Sequence, residues 1–416
     1  MADDVDLSVS ARPDAYYTGE TYWNTFPEAV PILNERATGD PTRDWDDHFP
    51  TVVDGRVFER ALVLNCGNGR VERELLRKGV VREAVGIDVL DALLDEARAQ
   101  AAAESLPLDY HQMDVNSVAF PDGPFDLVVN VAAAHHIRFI DRVFRALADL
   151  LPETGWFVSY DYVGPHRNQY DHDAWEAVWQ LQRTLPGDLQ RVVRYPHLPT
   201  SIADDPTEAI HSELILETFA RYFDVRHRVD LGGALAYPLL AGADALLAAP
   251  AEVRGAHVQR IFAADAEWLA AHPGRTLFSY FAGQPRKEVL TETAALAEWT
   301  AAEEARETAA EANGGEYYPH TALQDATLEL SEHEIAARHR AATLAEWGGI
   351  IDGLRARVAA LEAEAASATT ALAEVTAERD ALAAHPALRG YRAVRTSRPV
   401  ARLLASRPAR RLRHRG

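Results

Sequence analysis

Four short, continuous apolar runs, at 61–64, 84–87, 126–131 and 156–160, punctuate the first part of the chain. Runs of this length predict buried strands. The stretches between them, 69–78, 91–103 and 138–151, place apolar residues at helical spacing. Strands alternating with helices predict right-handed βαβ units and a mostly parallel sheet with helices on both faces. Helices are also expected over 174–185 and 208–222, and the run RTLFSYFA at 275–282 reads as a late strand that closes the sheet. The first fifty residues follow no such period and are expected to be irregular; they are rich in aromatics, with Tyr16, Tyr17, Tyr22, Trp23 and Phe26.

The end of the chain follows a different rhythm. Residues 288–312 are rich in alanine and glutamate and predict a helix, interrupted by NGGEYYPH. From 331 a single long helix is expected, with Leu344, Trp347, Ile351, Leu354, Val358, Leu361, Ala365, Ala368, Leu372, Val375 and Leu382 alternating at spacings of three and four apart from one slot held by Arg379. A 3.5-residue period without drift predicts a coiled coil rather than a helix packed on the body. Arg379 and the small alanines weaken the seam, and Gly348, Gly349 and Gly353 loosen its start. Pro386 is expected to end it. The chain thus divides into a cap or lid at 1–50, an α/β domain at 51–287 with a substrate-side insertion at 170–260, a helical linker at 288–330, a coiled coil at 331–385 and a tail at 386–416.

Composition narrows the function classes. With 47% hydrophobic and 25% charged residues among 416, the chain is long enough for a large core. No apolar run reaches the ~18 residues of a membrane-spanning helix, and the acidic N-terminus lacks the apolar core of a secretory signal. The single cysteine, Cys66, excludes an internal disulfide, and a cytoplasmic location is expected. The net charge of −21 conceals a tail, 386–416, with ten arginines and no acidic residue. The acidic body argues against general nucleic-acid binding. The tail, with Leu, Val and Tyr between its arginines, suits an anionic surface at the inner face of the membrane or an acidic protein.

Candidate chemistry begins at LVLNCGNGRVE, residues 62–72, where a strand turns through glycines into a helix. Glycines let a backbone approach a ligand, and a helix start offers free N–H groups. A dinucleotide fingerprint needs a third glycine where Glu72 stands, and a carboxylate there is expected to repel a pyrophosphate. The next strand ends in VGID, placing Asp88 where a carboxylate accepts from two ribose hydroxyls. HQMDVNS puts Asp114 at a third strand tip, within reach of an adenine amino group, with Met113 and Val115 flanking the ring. FDLVVNVAAAHHI supplies a fourth strand whose end, from Asn130, is expected to line the cofactor. Cys66 reads as a small buried filler.

In order, ALVLNCGNG, VGID, QMD, FDLVVNVAAAHHI and the Pro-Glu-Thr-Gly-Trp turn resemble the class I, Rossmann-like S-adenosylmethionine-dependent methyltransferases, over roughly residues 15–285. More narrowly, YYTGETYW, DYVGPHRNQY and DPTEAIHSELI followed by GGALAYPLL resemble bacterial methyltransferases found with glycan and surface-polysaccharide assembly. The resemblance implies that Asn65, Gly67, Gly69 and Asp88 form the S-adenosyl-L-methionine site and that Asp114 meets the adenine. Three positions depart from the pattern: Val63 replaces a frequent acidic residue, Asn65 the first glycine, and His211 a common arginine in the substrate region.

Methyl transfer to a hydroxyl needs alignment, exclusion of water and removal of a proton. His135, after strand four, is a candidate base, and Asp161, after strand five, a second catalytic candidate. His136 is a weaker base candidate. His166, Arg167 and Gln169 are expected over the cofactor's methyl group as contacts to a hydroxyl-rich acceptor, with His211. Tyr17, Tyr22 and Trp23 could form a lid or cover a flank of the sheet. No tight ligand spacing supports a metal, and none is expected. These features point to an O-methyltransferase acting on a sugar or glycan, with self-association through the coiled coil. The alternative is a scaffold with a degenerate methyltransferase body.

Overall fold

The computed structural model describes residues 21–191, 193, 195–196, 205–291, 301–302, 305, 308–309 and 322–396. Tyr16, Tyr17, the NGGEYYPH break and the end of the tail lie outside the described residues, as does most of the stretch expected to form a linker. The chain divides after Ile335 into two compact units.

The first unit is organised by a seven-stranded sheet of order β3-β2-β1-β4-β5-β7-β6. Its strands are β1 (Phe58–Leu64), β2 (Val81–Asp88), β3 (Leu108–Gln112), β4 (Leu127–Val131), β5 (Trp156–Tyr162), β6 (Phe223–Gly232) and β7 (Phe278–Pro285). β1 to β5 pair in parallel, and β7 runs antiparallel to both β5 and β6. The register pairs Leu64 with Asn130 and Asp88 with Gln112, so the carboxyl ends of the parallel strands share one edge. Successive residues serve opposite faces. Leu62, Leu64, Val85, Ile87 and Val128 pack with Val143, Phe144, Leu147, Ile215 and Phe219. Ala61, Val63, Ala84, Leu127 and Val129 pack with Trp45, Phe49, Leu75, Leu94 and Ala97. Both faces are buried, which explains why the parallel strands read as unbroken apolar runs.

The helices 70–77, 91–104, 140–150 and 172–182 stand where expected. Four differences arise. Residues 29–38 and 45–52 form helices rather than irregular chain. Pro31 lies in a first turn, where no N–H donor is missed, and the Asp44 carboxylate accepts from Trp45 N–H at 2.7 Å. The expected helix at 208–222 is regular only over Ile215–Tyr222. β6 follows it as the sheet's edge, with charged exposed residues that hid its strand character and that suit an unpaired edge. The long helix Ala251–Ala271 was not apparent in the sequence either; its alanine-rich surface carries little amphipathic contrast.

That helix is anchored by one buried group. Asp265 is fully buried; Arg36 donates to it at 2.8 Å, and the N–H groups of Gly233, Leu235 and Ala236 donate at 3.1, 2.8 and 3.2 Å. Arg36 also donates to Leu231 O at 2.7 Å. One carboxylate therefore joins the helix Ala29–Thr38, the end of β6 and the helix Ala251–Ala271. Above it, Trp23 stacks on Phe278 at 4.6 Å and Phe262 at 5.9 Å, so it covers a flank of the sheet, while Tyr22 is exposed.

The second unit is helical. The helix Ala322–Ala384 enters it, and Pro386 opens a further helix, Pro386–Thr396, so the proline starts a helix as well as ending one. Every large apolar residue of the heptad seam from Leu344 to Leu382 is exposed. Among the described residues, no helix is long and apolar enough to cross a membrane.

Replacing Asp265 with Ala is expected to lower the unfolding free energy by about 3–5 kcal/mol, because Arg36 and three N–H groups lose their acceptor. Urea denaturation followed by circular dichroism measures it; a loss below about 1 kcal/mol would rule out the anchor.

Candidate active site

The first strand turns into the helix Arg70–Arg77 through Asn65, Cys66, Gly67, Asn68 and Gly69. Asn65 has φ 45°, Gly67 57° and Gly69 77°. Asn65 therefore takes the left-handed backbone that a glycine would take, which asparagine tolerates better than most residues. Its side-chain amide donates to Ala133 O at 3.3 Å, across to the loop after β4. Gly69 cannot carry a side chain, because a Cβ would lie 2.4 Å from the Tyr110 hydroxyl and 2.9 Å from Ala97 Cβ.

Asp88 ends β2, buried beneath this turn. Gly67 N–H donates to its Oδ2 at 2.8 Å and Leu90 N–H to its Oδ1 at 2.9 Å. The carboxylate thus ties the β2 tip to the glycine turn. Burial raises its pKa, opposed by those N–H donors. Val89 N–H is a further donor, and the carboxylate still keeps acceptor capacity that suits ligand hydroxyls. Next to it, Met113 N–H donates to Asp88 O at 2.8 Å. Asp114 caps the turn Val115–Ser117 by accepting from Asn116 N–H at 2.9 Å and from the Asn116 side chain at 2.8 Å. These contacts hold the β2 and β3 tips as one rim.

Glu72 does not face a ligand, contrary to the expectation that it repels a pyrophosphate. It is fully buried under the turn, beside Tyr110, Cys66 and Arg73. Burial carries its carboxyl up to about 7. Cys66 is buried with it, and burial, then the Glu72 and Asp88 charges, push its thiol well up.

The β4 and β5 tips meet at Asp161, which is fully buried. Its Oδ2 accepts from the Asn130 amide at 2.5 Å, Ala133 N–H at 3.0 Å and Ala134 N–H at 2.7 Å; its Oδ1 meets His135 Nδ1 at 2.5 Å. Tyr162 N–H also donates to Oδ1 at 2.7 Å, so Asp161 is fully bonded within the chain and positions its neighbours. Asn130, expected at the cofactor, is fully buried; its amide donates to Ser159 Oγ at 2.8 Å as well as to Asp161. Burial would raise the Asp161 pKa, but the His135 charge and the donated bonds hold it low. Burial would likewise lower His135, but Asp161 and then Glu208 outweigh it and carry the imidazole up to about 9. At neutral pH His135 holds its proton, so it is not a ready base.

The loop after β5 also turns inward. Arg167, expected at the substrate, is buried and donates to Glu208 O at 3.3 Å, while its own N–H donates to Ala209 O at 2.7 Å. Gln169 donates to Arg167 O at 3.1 Å and Pro196 O at 3.3 Å. His166 Nδ1 bonds Ile210 O, and its ring stacks on the buried His211 ring at 5.5 Å. These contacts pin the segment 205–211. Ile210 N–H in turn donates to His135 O at 3.1 Å.

The pinned segment delivers a residue the sequence did not single out. Glu208 Oε2 lies 3.7 Å from His135 Nε2 and 3.7 Å from His136 Nε2. Among the described residues, two trios have ligand atoms within 4.8 Å of one another: His135, His136 and Glu208, and His166, His211 and Glu213. Burial carries the Glu213 carboxyl up to about 7. The wide separation of these residues along the chain concealed both trios.

Residues 61–155 match the family model described as "Methyltransferase domain". The chain is 35% identical over 98 residues to a ubiquinone biosynthesis O-methyltransferase of Nitrosococcus oceani, covering 23% of this chain and 41% of that protein. It is 28% identical over 149 residues to the uncharacterized methyltransferase YcgJ of Bacillus subtilis, covering 31% of this chain and 59% of that protein. The crystal structure of YcgJ superposes with a TM-score of 0.34 and 18% identity, over 57% of this chain and 96% of that one. The chain thus spans about half the length of these curated relatives. Asp161 and Glu208 lie beyond the matched residues.

Glu72 makes a pH-dependent contribution to stability. Its folded pKa, about 7, lies above the ordinary value of 4.5, so its favourable contribution is complete below 4.5 and lost as pH rises through 7. Relative to wild type, Glu72→Gln is expected to gain roughly 2–3 kcal/mol of stability between pH 5 and pH 8. Urea melts across this range measure the difference; one that stays constant with pH refutes the buried charge.

Proposed function

With residues 61–155 a methyltransferase domain and S-adenosyl-L-methionine its cofactor, we propose that the whole chain is a methyltransferase directed at an oxygen of a sugar or glycan. The observation that carries this reading is the turn at Asn65. The left-handed backbone and the Asp88 tie to Gly67 preserve a glycine-type cofactor loop despite the missing first glycine. A scaffold with a degraded loop has no need of either feature. Asp88 would hold the ribose hydroxyls, the glycine turn would lie against the cofactor, and the Met113–Asp114 rim would hold its adenine. The bound cofactor supplies an electrophilic methyl group on sulfonium sulfur. An oxygen acceptor agrees with the name of the Nitrosococcus relative. A hydroxyl-rich acceptor agrees with the polar trios at the strand ends, where open α/β sheets bind ligands.

Calorimetry with S-adenosylmethionine tests the cofactor site. Binding by the wild type is expected, weakened about 10–100-fold in Asp88→Ala, because a hydrogen bond to a charged group contributes about 1.5–3 kcal/mol. No binding at millimolar cofactor would sink the enzyme reading. Transfer of labelled methyl to nucleotide-sugar and oligosaccharide acceptors, with S-adenosylhomocysteine released, tests the acceptor class; a quinol precursor labelled in their place refutes it.

We also propose that the seam of the helix Ala322–Ala384 pairs with a second copy. Leu354, Leu361 and Leu372 are exposed at 61%, 48% and 67% along one heptad stripe, which only a partner helix covers efficiently. Light scattering of the full chain is expected to show an oligomer that Leu354→Glu with Leu361→Glu dissociates. An unchanged mass refutes the pairing.

A further inference from the structure

We propose that His135, His136 and Glu208 hold one divalent first-row cation of the zinc, manganese or iron type. Both His Nε2 atoms lie 3.7 Å from the same Glu208 oxygen. That separation is too long for a hydrogen bond. It is close to the ~3.3 Å between ligand atoms around a tetrahedral ion with bonds of about 2.0 Å. Two imidazoles and one carboxylate suit such ions, and three protein ligands leave a position open.

The outer contacts decide which ring nitrogens face the centre. Asp161 takes His135 Nδ1 at 2.5 Å, so Nε2 is the nitrogen left for a ligand role. The Thr207 hydroxyl gives its proton to Asp205 Oδ1 at 2.7 Å. Its oxygen must therefore accept from His136 Nδ1, 3.1 Å away, which makes His136 Nε2 the lone-pair nitrogen. Glu208 Oε1 accepts from the Asn168 amide at 3.3 Å. Each candidate ligand thus has its own outer partner, as metal ligands characteristically do. A cation takes the place of a proton at His135 Nε2, and the partly exposed Glu208 gives it a route in.

The site's role rests on the function proposed above. A bound cation lowers the pKa of an oxygen ligand. An acceptor hydroxyl at the open position loses its proton to solvent more easily. Its oxygen would then bond the methyl carbon as the carbon–sulfur bond broke, with sulfur keeping the bonding pair as S-adenosylhomocysteine.

Full-length protein, stripped with chelator, is titrated calorimetrically with Zn²⁺ and with Mn²⁺, and separately with S-adenosylmethionine. One equivalent of at least one ion is expected to bind. Glu208→Gln should weaken it at least tenfold, Thr207→Val by about 10–100-fold as an outer-partner loss, and Glu213→Gln not at all. If Glu208→Gln fails to fold, judged by its circular dichroism, Thr207→Val carries the test. Wild type that binds neither ion overturns the proposal, as does a folded Glu208→Gln that binds like wild type. Weakening by Glu213→Gln alone also overturns it, by placing the ion at His166, His211 and Glu213. If no ion binds but S-adenosylmethionine does, the metal site falls and the methyltransferase reading stands. If the ion binds but the cofactor does not, the reverse holds.

Discussion

The Asp161 carboxylate is the contact on which the active edge of this protein depends. A buried ionised carboxylate needs donors, and here the donors are the Asn130 amide, the backbone N–H groups of Ala133, Ala134 and Tyr162, and His135. Meeting that need folds the chain after β4 into a tight turn, with Ala132 at φ 51° and His135 brought back against β5. Ala133 then presents its carbonyl to the Asn65 amide. The same carboxylate thereby aligns the cofactor turn after β1, the histidines after β4 and its own strand. The cost of leaving a buried charge unpaired keeps this arrangement unique, since a slip at any donor strands the others.

Asp161 also explains why so much polar sequence turns inward. Arg167, Gln169, His166 and His211 look like acceptor contacts when counted as polar residues above a strand end. Their partners are mostly backbone carbonyls of the chain itself, because the segment 205–211 crosses the edge of a sheet without strand pairing there. Each carbonyl buried in that crossing needs a donor. What these side chains achieve is the placement of Thr207 and Glu208 against His135 and His136.

The fold was legible where burial is two-sided. Val85, Ile87, Val128 and Val129 sit between two helical layers, so the strands carry unbroken apolar runs that need no partner to be recognised. β6 was not legible because one side of it faces solvent and its charges serve the edge. The helix Ala251–Ala271 was not legible because its alanines blur the contrast between faces, and its position depends on Asp265, a single polar residue whose role appears only once Arg36 is beside it. Asp88 could be read from its spacing to the glycine turn, since both lie within one βαβ unit. The turn at Asn65 could be posed as a question but not answered, because positive φ is a property of the folded loop.

Glu208 marks the limit of reading along the chain. It is 72 residues from His136, and although it lies within DPTEAIHSELI, nothing in that stretch ties it to the histidines. Backbone bonds from Ile210 N–H to His135 O and from Arg167 N–H to Ala209 O bring it across, with side-chain bonds from Arg167 to Glu208 O and from Asn168 to Glu208 Oε1. Local spacing finds ligand sets carried on one helix or one hairpin. It fails when one ligand arrives on an irregular crossing whose path is set by backbone satisfaction elsewhere. The two histidines and the carboxylate are therefore best seen as a product of the same accounting that buries Asp161. Once the strand ends are held by a charge that must be fully bonded, whatever crosses them is held at fixed distance too.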